Sequence, residues 1–111
     1  MGKFKVEILP AAWDDLTEIA EYIALDNAAA AERTADKIIF SLRRLEQFPL
    51  SAPSVPDNDL AKEGYRVLIC DKYRCFYRFI ENTVFIYHIV HGARNYPVLL
   101  KNLDNKNDES N

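Results

Sequence analysis

The sequence predicts an α+β fold in which an antiparallel sheet packs against an N-terminal helical hairpin, in the order β-α-α-β-β-β. Three observations carry that expectation. A short alternating stretch is followed by two successive segments with apolar residues at helical spacing. After a proline-rich loop the period falls to that of strands. The last three runs are joined by "DK" and "EN", linkers short enough for antiparallel hairpins.

In "KFKVEIL", Phe4, Val6 and Ile8 face one way and Lys3, Lys5 and Glu7 the other, which predicts a first strand. Pro10 ends it and suits the start of a helix. In "AAWDDLTEIAEYIALDN", Ala12, Leu16, Ile19 and Ile23 form an apolar stripe. Asp14, Asp15 and Glu18 suit the early turns, where the helix end is effectively positive, and Asp14 and Asp15 read as capping residues. Asn27 is the expected N-cap of a second helix, with Ala31, Ala35, Ile38, Leu42 and Leu45 as its stripe and Pro49 as its stop. "PLSAPSVPDNDLAKEG" reads as a loop, with a turn at Asp57-Asn58-Asp59. "YRVLIC", "YRCFYRFI" and "TVFIYHIVH" follow as strands, the first strand returning beside one of them. In the middle one, Tyr73, Cys75, Tyr77 and Phe79 share one face, and Arg74, Phe76 and Arg78 the other. Residues 1–103 are expected to form a single domain and 104–111, "DNKNDESN", a flexible tail.

A chain of 111 residues, 49% hydrophobic, supports one core without covalent staples. Its two cysteines, Cys70 and Cys75, read as reduced and structural, as in a cytoplasmic protein. No Cys/His cluster suggests a metal, no glycine-rich loop suggests a nucleotide, and no run is long enough to span a membrane, so neither cofactor nor membrane is expected. The net charge of −3 argues against a free nucleic-acid binder.

Arg66, Arg74, Arg78 and Arg94 are candidates for holding phosphate or an acidic partner, because a guanidinium forks onto such groups. Arg74 and Arg78 point the same way from one strand, and Arg66 is expected to approach them from the next. Strict alternation puts His88 and His91 on opposite faces. His88 reads as a partly buried, hydrogen-bonded residue. His91, at the strand exit, is the better proton-transfer candidate, or else caps the turn before Gly92. Tyr96 stacks on a base, hydrogen-bonds to phosphate or closes the end of the core.

In order and spacing, "VEILPAAWDDLTEIAEYIA", "SLRRLEQFP", "GYRVLICDKYRCFYRF" and "TVFIYHIVHGARNY" resemble the RelE/ParE superfamily of bacterial type II toxin–antitoxin toxins, also called plasmid-stabilisation proteins, over roughly residues 3–100. The resemblance implies a growth-inhibiting toxin neutralised by a cognate antitoxin, without promoter binding by the toxin alone. One branch acts on DNA gyrase or another topoisomerase, and the paired helices and "HGARNY" exit look closer to it. The alternative branch is a ribosome-dependent messenger RNA endonuclease, in which the ribose 2′-hydroxyl attacks the adjacent phosphate. For that branch the resemblance matches Arg74 and Arg94 to its phosphate-holding arginines, with His91 or Tyr96 left to move protons. Its catalytic tyrosine would fall at Leu100, and its lysine-rich loop is here represented by Lys62.

Overall fold

A computed structural model of the chain describes residues 3–92 and 95–101. Its order is β1 (Lys5–Ile8), α1 (Pro10–Ala24), α2 (Ala28–Arg43), a 3-10 turn (Arg44–Glu46), α3 (Asn58–Lys62), β2 (Arg66–Cys70), β3 (Tyr73–Ile80) and β4 (Thr83–His91). Residues 96–101 are also helical. The sheet order is β1-β4-β3-β2. The expected antiparallel pairing holds through β2, β3 and β4, while β1 returns beside β4 in parallel, making the sheet mixed.

Local chemistry explains most boundaries. Pro10 takes the first helical position of α1, where its missing N–H costs nothing. Asn27 Oδ1 accepts from Ala30 N–H at 3.0 Å and caps α2. Glu81 and Asn82 both have positive φ, 47° and 69°, as a tight two-residue hairpin with the right-handed strand twist demands. Two expectations at helix starts differ. The first turn of α1 carries no acidic residue, because Pro10 starts the helix early and leaves Asp14 and Asp15 beyond it. Asp57 does not merely turn the chain: its Oδ1 accepts from Leu60 N–H at 3.0 Å and caps α3.

The core is double. On the helix side, Leu16, Ile38, Leu42 and Leu45 pack on Cys75, Tyr77, Val84, Ile86 and Ile89. Phe79 from β3 joins them and meets Phe4 edge-on, ring centres 5.0 Å apart. The other sheet face is covered by the proline-rich loop and the last helical residues: Val55, Leu60, Tyr65 and Leu100 pack on Val67, Phe76, Tyr87 and Val90. Leu60 and Leu100 are fully buried, and each such burial contributes about 2 kcal/mol. Loop carbonyls are held from the sheet as well. The Tyr77 hydroxyl donates to Pro49 O at 2.8 Å, and Arg66 Nη1 donates to Ala52 O at 2.6 Å.

β4 does not keep one alternation. Phe76 pairs with His88 but Tyr77 pairs with Ile86, so Tyr87 is an extra residue at a bulge. Val84, Ile86 and Ile89 therefore belong to the helix-side core, while Tyr87 and Val90 belong to the other.

Candidate functional site: a cleft beside the helical hairpin

The bulge precedes His88, and residues 88–91 pair in regular register, so His88 and His91 stay on opposite faces as expected. What the bulge changes is their phase against Val84 and Ile86: His91 now follows Ile89 and reaches the helix side. His88 Nδ1 donates to Asp15 Oδ2 on α1 at 2.6 Å. The same oxygen accepts the Ile89 backbone N–H at 2.9 Å. A carboxylate oxygen with two donors acts as acceptor only, so Nδ1 carries the hydrogen. Both side chains are mostly buried, which makes this junction a fixed tie between α1 and β4. Asp15 was therefore not a helix cap. Its signal was available in the sequence: it lies three residues after Ala12 and four before Ile19, on the apolar stripe itself.

Next to this tie, α1, α2, the β2–β3 turn and the end of β4 enclose a cleft of about 900 Å³. Its floor includes Ile19, Ile23, Ile38 and Ile89, and its rim Glu18, Tyr22, Lys72 and His91. Lys37 of α2 meets Asp71 of the turn at 2.7 Å across one end. The Asp71 carboxylate, through that hydrogen bond and its charge, holds the Lys37 ammonium above the usual lysine range. His91 is exposed at the mouth, its ring edge-on to Tyr73 at 5.4 Å. Cys70 lines the wall and accepts from the Ser41 hydroxyl at 3.2 Å.

The remaining candidates do not gather there. Arg66 lies opposite Tyr77 and so shares the helix-side face, away from Arg74 and Arg78. Arg78 is packed between the Tyr65 and Tyr87 rings, 4.7 and 5.0 Å from their centres, and its Nη2 donates to the Tyr87 hydroxyl at 2.7 Å. Arg74 lies between Ile69 and Val90 on the same face and is half-buried, with no hydrogen-bond or ion-pair partner among the described residues. Tyr96 stacks on Phe76 with ring centres 4.8 Å apart, and its hydroxyl accepts from Asp57 N–H at 2.8 Å. It closes the second core, on the face away from His91. Arg94 and the 104–111 tail lie outside the described residues. Sequence reading missed Asp15, Lys37 and the two tyrosines around Arg78, because each is brought to its partner by strand pairing or helix docking.

Among the described residues no group of His, Cys, Asp and Glu is arranged to hold a metal, and no helix is long and apolar enough to cross a membrane.

The model of a family described as the ParE toxin of the type II toxin–antitoxin system parDE matches residues 6–96. No curated protein matches the sequence. Two solved structures are similar in fold. A chain of a chromosomal ParDE toxin–antitoxin system from P. aeruginosa superposes with a TM-score of 0.69 at 18% identity, covering 84% of this chain and 100% of that one. A chain of the RelBE2 toxin–antitoxin complex from Mycobacterium tuberculosis gives 0.53 at 24% identity, covering 80% and 98%.

Proposed function

Since this chain belongs to the ParE toxin family of type II toxin–antitoxin systems, we propose that it arrests growth by binding DNA gyrase or another topoisomerase, and that a cognate antitoxin neutralises it. The family match over residues 6–96 carries the proposal. The similar solved structures come from toxin–antitoxin systems, which supports the antitoxin as partner.

The disposition of the polar residues supports a binding mechanism over RNA cleavage by this chain. Cleavage through a 2′-hydroxyl needs a proton-transfer group and cations converging on one phosphate. Here Tyr96 is committed to Asp57 and Phe76 on one sheet face. His91 opens onto the cleft on the other. Arg66 and Arg78 are committed to loop carbonyls and to a tyrosine pair. In a supercoiling assay with purified gyrase, the chain is expected to inhibit at stoichiometric amounts, and premixed antitoxin to relieve the inhibition. Unchanged supercoiling, with translation-dependent cuts in messenger RNA, would replace this proposal by the ribosome-dependent endonuclease.

A further inference from the structure

The two edges of the sheet are treated differently. The outer side of β2 is covered by the proline-rich loop: Ser54 bridges to Arg66, and Val67 N–H donates to Pro53 O at 3.0 Å. β1 is the other edge. Two bonds fix which way its backbone groups point. Leu9 N–H donates to Ile86 O of β4 at 3.0 Å, whereas Phe4 N–H turns away from β4 and donates to Glu46 O at 2.7 Å. Direction alternates along a strand, so Lys5 and Glu7 face β4, while Val6 and Ile8 present their N–H groups outwards. Neither the Val6 N–H and C=O nor the Ile8 N–H has a partner on that side among the described residues. The side chains of Val6 and Ile8 pack on the helix-side core and remain half-buried. Lys5 and Glu7 stand on the opposite face, 3.5 Å apart and open to solvent. An uncovered edge is a template for another strand, and charged side chains ordinarily blunt it.

We propose that β1 pairs antiparallel with β1 of a second copy of this chain, about a two-fold axis at Val6, joining two four-stranded sheets into one. Charge selects both the occupant and the register. About that axis Lys5 of each copy stands opposite Glu7 of the other, Val6 meets Val6, and Phe4 meets Ile8. The outward N–H and C=O groups of the two Val6 residues bond to each other, and each Ile8 N–H reaches the Phe4 C=O of the other copy. Moving the axis to Lys5 or Glu7 sets like charges opposite each other, which disfavours the slipped registers. The charges that blunt this edge against a foreign strand are thus self-complementary. Any other strand must carry an acid, an apolar residue and a base in matching order, and the second copy does so by symmetry. The cleft touches β4 at residues 89–91, beyond the 83–86 segment that β1 pairs, so the contact and the cleft use different residues. A contact this short places the dimer at the weak end of protein association.

The test is sedimentation equilibrium of the purified chain without antitoxin. The mass is expected to rise from that of one chain towards that of two as concentration increases from about 5 μM to about 500 μM. Lys5→Glu and Glu7→Lys are each expected to weaken the dimer at least about fivefold, because the axis repeats every cross-strand pair. The exchange of both, Lys5→Glu with Glu7→Lys, restores opposite charges across the axis and should recover dimerisation. Glu32→Lys makes the same charge change on an exposed position of α2 and should dimerise like the wild type. Thermal melts establish that each variant is folded. A wild type that keeps the mass of one chain throughout would overturn the proposal. So would a dimer indifferent to both single reversals, or one lost in them and not recovered by the exchange. A monomeric wild type whose antitoxin binding falls with Glu7→Lys would also overturn it, and would assign the edge to an antitoxin strand.

Discussion

Asp15 shows how one side chain joins two elements. Its Oδ2 accepts from both the Ile89 N–H and His88 Nδ1. Asp15→Ala leaves two donors at a mostly buried junction and is expected to cost about 1–3 kcal/mol. Asp15→Asn keeps an oxygen for Ile89 and should cost less, a ranking that urea unfolding would read. A second residue sets an alkaline limit. Burial pushes the Cys75 thiol from 9.0 up to about 12. The unfolded thiol ionises above pH 9 and the native one does not, so the contribution is complete below pH 9 and is lost as pH rises towards 12. Within that window the slope from this group approaches about 1.4 kcal/mol per pH unit. Burial also raises the Tyr77 phenol, which acts in the same direction. Urea midpoints between pH 8 and pH 10.5 (about these limits) should fall with pH, and less steeply in Cys75→Ala. At this scale the sequence was legible where an interaction is local. Asn27 reaches a backbone group three residues away, whereas Asp15 finds partners more than seventy residues on.

Among elements, periodicity announced both long helices and all four strands, because each buries a regular stripe or face. It did not announce the bulge at Tyr87, since an extra residue shows only when two strands are paired. The same limit hid the true neighbours of His88. The short helix α3 and the helical residues 96–101 carry one buried anchor each, Leu60 and Leu100, too few to set a period. The β3–β4 turn offers an element-level prediction. Glu81 and Asn82 both adopt left-handed φ, for which asparagine followed by glycine is better suited. The double substitution Glu81→Asn with Asn82→Gly should add about 0.5–1 kcal/mol and raise the melting temperature by several degrees in a thermal scan.

On the scale of the whole molecule, the order of elements and the helix-side core followed from the sequence, but the second core did not. Val55, Leu60 and Leu100 sit in segments that look like loop and chain end, and only folding brings them over Phe76. That second layer also decides the candidate site. It takes Tyr96 and Arg78 into packing roles on one face and leaves the cleft with His91 on the other. The outcome is a toxin-family fold whose exposed chemistry suits protein partners. The most direct measurement is a titration of the purified chain against gyrase supercoiling, run beside a translating extract probed for messenger RNA cleavage. Stoichiometric inhibition of supercoiling with intact message is the predicted result. Full supercoiling with cleaved message would contradict it.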